Sequence, residues 1–226
     1  MPDGLLLAAI AVAVVIALTL SAHLYYQREA GFARVATSLG LRFSERDTSS
    51  VRQLDFPLFH EGNGTESGNL VSGTLRGTPV AAFDFAYWTE RRDAKGFTHR
   101  EYHRFLCAVT DIAASCAALS IEHRGLLGQV AGALGLDGVQ FESDAFDRAY
   151  RVTCDDRRFA SALVDPAMIA WLLDAPSPVL FQTVGTHLLA AAEDRRPEAI
   201  PGLLHALLDF RAHVPAFVTS EYPAGR

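Results

Sequence analysis

Gly4 to Ala22 reads GLLLAAIAVAVVIALTLSA, a run without a charged side chain and with only Thr19 and Ser21 as polar ones. A helix rises about 1.5 Å per residue, so a run of this length approaches the roughly 30 Å hydrocarbon core of a bilayer. Leu24, Tyr25 and Tyr26 extend it, and tyrosine rings settle at headgroup level. The expectation is a transmembrane anchor over residues 1–26, with Gly4, Leu5 and Ala22 inside the span and the lipid bilayer as partner of residues 4–22. A cleaved signal peptide fits less well. Met1-Pro2-Asp3 supplies no basic side chain, the apolar run exceeds the usual core of about 7–15 residues, and Leu20 spoils a cut after Ala22. Arg28, Arg34 and Arg42 follow the run and no basic residue precedes it. The positive-inside rule then places the N-terminus outside a bacterial cell membrane, crossed once, and the following domain in the cytoplasm.

About 200 residues follow the apolar run, enough for one sizeable core or two small ones. A net charge of −6 argues against a nucleic-acid partner, which would call for a basic face. Lys95 is the only lysine among 20 basic residues, a compositional bias without functional meaning. Cys107, Cys116 and Cys154 are odd in number and form no CxxC, which fits reduced, buried thiols better than a disulfide framework or a zinc knuckle.

In chain order, Phe32, Val35, Ala36 and Leu39 fall on one face of a helix over Glu29–Leu39 that stops at Gly40. Residues 27–43 form a juxtamembrane helix and linker, and residues 44–218 a soluble domain. Leu41–Phe43 is a short strand; Ser44–Gly68 is polar and turn-rich, with an apolar clip at Phe56–Phe59. Leu70–Leu75 and Thr78–Tyr87 are strands joined by a tight turn at Arg76-Gly77, with Gly73 marking a bulge or a close approach. Thr89–Arg100 is a charged hairpin tip. Glu101–Thr110 and Ala117–His123 are two further strands, and Gly125–Leu134 a helix. Val139–Glu142 and Tyr150–Cys154 are strand-like. Asp155-Asp156 and Asp165-Pro166 start helices over 157–164 and 166–174. Val179–Val184 and His187–Ala192 form a hairpin around Gly185-Thr186, Pro197–His213 is the last helix, and 219–226 is a flexible tail. The pattern gives an α+β fold: one mainly antiparallel sheet covered by helices.

Several fragments carry a resemblance. They are VSGTLRGTPV from Val71 to Val80 with Phe83-Asp84-Phe85, FESDAFD from Phe141 to Asp147 leading into Tyr150-Arg151-Val152, Asp155 with Arg158-Phe159-Ala160, and Asp165-Pro166 with Met168 and Trp171-Leu172. Over residues 30–218 the chain resembles an uncharacterised family of mainly actinobacterial proteins with an N-terminal hydrophobic helix and one soluble domain. That resemblance implies an architecture and no activity, so it carries over no catalytic residue.

His99, Glu101 and His103 alternate on a strand and so share a face about 6–7 Å apart, a set of donors suited to zinc or another divalent metal. The same face continues as Phe105, Cys107 and Val109, which makes it equally the solvent end of a core-facing strand. Glu142, Asp144, Asp147, Asp155 and Asp156 cluster in sequence, but helix caps and turns account for them. Arg91, Arg92, Lys95, Arg100 and Arg104, flanked by Trp88 and Phe97, form a basic hairpin tip that can meet anionic lipid. No GxSxG, HExxH or GxGxxG motif occurs. The sequence therefore favours a non-enzymatic, membrane-tethered interaction module with a protein partner and no cofactor. A metal-assisted hydrolase on His99, Glu101 and His103, and an anionic-lipid-binding domain on residues 88–104, are the alternatives.

Overall fold

The computed structural model describes residues 2–45, 48–93, 95–124, 138–175 and 178–224, with side chains there except those of 2–9, 11, 24 and 52. The expected helix over Gly125–Leu134 lies outside the described residues. The fold is α+β. A six-stranded antiparallel sheet runs in the order β1 (Arg42–Ser44), β2 (Gly64–Leu75), β3 (Thr78–Arg92), β4 (Thr98–His123), β5 (Tyr150–Cys154), and β6 (Leu180–Ala192) also pairs with β4.

The two faces of the sheet bury different sets of side chains, as strand alternation requires. Val80, Ala82, Leu106, Ala108, Leu188 and Ala190 belong to the larger core. Helix α1 (Pro2–Leu39) covers this face through Phe32 and Ala36, as do α4 (Arg157–Leu163), α5 (Pro166–Asp174), α6 (Ile200–Ala212) and α7 (Ala216–Glu221). Phe83, Phe85, Phe105, Cys107 and Leu189 point the other way, against Phe56 and Leu58 of the segment between β1 and β2. That segment holds α2 (Ser49–Arg52) and a 3-10 turn at Pro57–His60, so the apolar clip seen in the sequence is the lid of a second, smaller core.

Local signals set the element ends. Gly40 stops α1 at φ +68°, and Arg76 (φ 52°) and Gly77 (φ 79°) make the primed turn that matches strand twist between β2 and β3. Ser143 caps α3 (Asp144–Ala149) by accepting from Phe146 N–H, Asp156 caps α4 through Arg158 and Phe159 N–H, and Asp165 caps α5 through Met168 N–H.

Several expectations change. Glu101–Thr110 and Ala117–His123 are one long strand, β4, whose register against β6 shifts between Asp111, Cys116 and Leu119. These irregularities bend the strand without ending it, and β4 exchanges β3 for β5 as a neighbour. Val179–Ala192 is likewise no hairpin: Gly185, at φ +54°, lies opposite Cys116 within a single strand that keeps pairing with β4. The strand β2 starts at Gly64, and its bulge falls between Gly68 and Val71. Gly73 is instead a close approach, since a Cβ there would lie 2.8 Å from the Leu41 side chain. The last residues also depart from a tail: Tyr222 packs edge-on against Phe159, its carbonyl accepts from Ser115 N–H, and Pro223 bridges Ala114.

The apolar run and the amphipathic segment after it form one helix, continuous from Pro2 to Leu39. Its second half belongs to the domain. Phe32 is fully buried, Gly31 abuts Pro197, and Arg28 Nε donates to Asp84 Oδ2 at 2.8 Å. Its first half stands clear, with Val12, Val14, Val15, Ile16, Leu18 and Leu20 all exposed. Among the described residues no helix is long and apolar enough to cross a membrane. The described side chains of the apolar run begin at Ile10, and Ile10 to Ala22 rises only about 20 Å.

Candidate functional site

The β3–β4 hairpin was the sequence's first candidate. Strand pairing carries it out to Arg92 and Thr98, with Asp93 closing the turn by accepting from Lys95 and Phe97 N–H. His99, Glu101 and His103 do share a face of β4, as alternation requires, but each is engaged separately. His99 Nε2 lies 3.2 Å from Asp93, and this hydrogen bond, followed by that from Phe97 N–H, holds the Asp93 carboxyl below its usual range. Glu101 faces Arg91 at 3.7 Å. The ring of His103 stacks on Tyr87 with centroids 4.6 Å apart. Among the described residues, no three His, Cys, Asp or Glu side chains lie close enough together to hold a metal ion. A metal needs donors converging from several directions, and a single exposed strand offers them in a row.

The cations of the hairpin are partly spoken for. Arg100 pairs with Glu90 at 3.2 Å and lies over the Trp88 ring, Arg104 lies over Tyr102, and Arg92 donates to Gly96 O. Phe97, at the tip, is 66 % exposed. The acidic residues that cluster in sequence serve the backbone: Asp147 accepts from Phe141 N–H and Asp156 caps α4. Ser120 is buried and hydrogen-bonds to Glu122 and Gln182. Cys107, Cys116 and Cys154 are free and buried; burial pushes the Cys116 thiol to about 12 and that of Cys154 to about 11, far from a reactive thiolate.

Direction along the sheet relates the hairpin to α1. Leu41, just past the end of α1, lies on Gly73, which pairs with Val80; Arg28, nearer the start of the helix, binds Asp84. Moving toward the N-terminus of α1 therefore means moving up β3 toward its tip. The exposed apolar half of α1 and the hairpin leave the domain at the same end.

Two clefts were not legible in the sequence. One, of about 790 Å³, opens between α5, α6 and β6 and is mainly apolar, with Trp171, Phe181, Leu203 and Ala206 inside and Asp174, Glu193 and Asp209 at its rim. The other, of about 470 Å³, lies at the foot of the exposed helix between Tyr25, Arg28, Asn69, Asp84, Arg104 and Arg195. Its members are separated by up to 170 positions in the chain, so no local pattern announces them.

No family model matches the sequence, and no curated protein matches it either. Among solved structures, the mycobacterial trehalose monomycolate transport factor A, TtfA, is similar: TM-score 0.58, 12 % identity, over 88 % of this chain and 98 % of that one. The likeness is one of fold, and nearly all of the neighbour's chain takes part in it. Its mycobacterial source agrees with the actinobacterial resemblance drawn from the sequence fragments.

Proposed function

We propose that this chain is a membrane-anchored accessory module of the cell envelope and acts without catalysis, by holding a partner at the membrane surface. The observation that carries the reading is the double character of α1. One unbroken helix has a half buried in the domain core at Phe32 and Ala36 and a half whose described apolar side chains, from Ile10 to Leu20, are exposed. Uncovered aliphatic side chains in such density call for a lipid or protein surface. The helical backbone from Gly4 to Ala22 rises about 28 Å, close to the bilayer core, and the sequence there is uncharged. With the arginines on the domain side, the domain faces the cytoplasm. Similarity in fold to a transport factor supports an accessory role in moving envelope material, and the absence of a recognisable catalytic motif in the sequence agrees with it. Crosslinking in intact membranes tests this: capture of a membrane-complex subunit through the domain is expected, and failure to capture any protein counts against it.

The hairpin has a second part in this reading, contact with lipid. Leaving the domain at the same end as the exposed half of α1, the hairpin lies against the membrane surface, with the rings of Trp88 and its cross-strand partner Tyr102 and the cations Arg91, Arg92, Lys95 and Arg100 at headgroup level. Vesicle binding by the full chain's hairpin variants, described below, separates this contact from the anchor.

A further inference from the structure

The 470 Å³ cleft at the foot of α1 gathers three guanidinium groups, those of Arg28, Arg104 and Arg195, with the carboxylates of Glu45, Glu66 and, bound to Arg28, Asp84. Both oxygens of the Asp84 carboxylate are already used. Arg28 holds Oδ1 and Oδ2 with its fork, and Asn69 Nδ2 donates to Oδ2 at 2.9 Å. Arg104 lies over the Tyr102 ring, and neither it nor Arg195 has an ion pair among the described residues. Glu45, at the edge, accepts from the Tyr25 hydroxyl at 2.8 Å, and Glu66 also lines the cleft. Asn69 is 8 % exposed and its Oδ1 is buried without a donor. Burial weakens the hold of Arg195 on its proton, and the positive charges of Arg28 and Arg104 weaken it further, against the smaller opposing effect of the Asp84 carboxylate. Like charges gathered in a partly desolvated cleft are an arrangement that a bound anion relieves.

We infer that this cleft binds a phosphate group, held between Arg104 and Arg195 with Arg28 fixed behind them by Asp84. Guanidinium forks match phosphate oxygens two at a time, which a lysine cannot do. The unpaired Oδ1 of Asn69 can accept from a hydroxyl on the same ligand. Tyr25 and Arg28 follow Ala22 by about 5 and 9 Å of helix, the depth of a headgroup layer. The phosphate can therefore come from an anionic lipid headgroup or from a soluble phosphate compound. The headgroup source rests on the anchor proposed above; the phosphate site itself does not.

The test is titration calorimetry of the full chain in non-ionic detergent with three probes: dihexanoyl phosphatidylglycerol, dihexanoyl phosphatidylcholine and inorganic phosphate. Saturable binding of the phosphatidylglycerol is expected, at least tenfold weaker in Arg195→Gln and in Arg104→Gln, and of intermediate strength in Arg195→Lys, which keeps the charge but not the fork. The unfolding temperature of each variant shows that it folds. Binding of inorganic phosphate at equal strength and with equal sensitivity to Arg195→Gln would support the phosphate site and assign it to soluble compounds. Equal binding of phosphatidylcholine that the glutamine variants leave unchanged, unchanged affinity for phosphatidylglycerol in both glutamine variants, or no binding of either anion would overturn the inference. Membrane fractionation of the same chain reports on the anchor separately.

Discussion

Phe32→Ala is the perturbation that best separates a helix built into the domain from one merely joined to it. Phe32 is fully buried, and the Arg28 guanidinium lies 5.3 Å from its ring centroid. Truncating a buried phenylalanine to alanine costs about 3–5 kcal/mol, the transfer of the ring plus the cavity it leaves. The cation–ring contact, at a partly exposed arginine, adds about 0.5 kcal/mol. For a domain of this size each kcal/mol lowers Tm by roughly 2–4 °C, so a fall of roughly 10 °C is expected. Leu18, on the same helix, is 65 % exposed, and Leu18→Ala should stay within about 0.5 kcal/mol. The assay is thermal and urea unfolding of the full chain in non-ionic detergent, followed by the near-ultraviolet signal of Trp88 and Trp171, both of which lie in the domain. A loss below about 1 kcal/mol for Phe32→Ala would refute the packing of α1 into the core.

Other outcomes follow from the same structure. Burial raises the carboxyl pKa of Glu122, against smaller opposing effects of Ser120 and Arg151. Its folded-state pKa thus lies above the unfolded one, so stability declines as pH rises from the ordinary glutamate range through the folded value. Glu122→Gln should remove that decline, giving a higher urea midpoint than wild type at pH 7.5 and a smaller difference at pH 4.5. All three thiols should resist a thiol reagent in the native chain and react in denaturant; rapid native labelling of Cys107 would contradict its burial. Arg91→Glu with Arg92→Glu and Lys95→Glu should weaken recruitment of the domain to anionic vesicles by well over tenfold, at about 1 kcal/mol for each cation near the surface. It should leave Tm unchanged, because these side chains are exposed.

What the sequence shows of this fold is what neighbouring residues decide. The caps at Asp156 and Asp165, the turn at Arg76-Gly77 and the stop at Gly40 are chemistry within four residues, and the structure has each of them. The continuity of β4 and β6 was hidden because Asp111 and Gly185 look like interruptions. Only pairing with a distant strand shows that the chain runs on through a shift in register. The metal reading failed to find convergence for a related reason: alternation puts His99, Glu101 and His103 on one face, yet Asp93, Arg91 and Tyr87 each claim one of them. The arginine cleft joins α1, β3, β4 and the loop after β6, so it exists only once the helix is docked on the sheet.

The central claim is that α1 both anchors the chain in a membrane and forms part of the domain. Alkaline carbonate washing of membranes from cells expressing the full chain tests it most directly, with a chain starting at residue 23 as comparison. The account predicts that the full chain stays with the sedimented membranes while the shortened chain is released. Release of the full chain into the supernatant would contradict it.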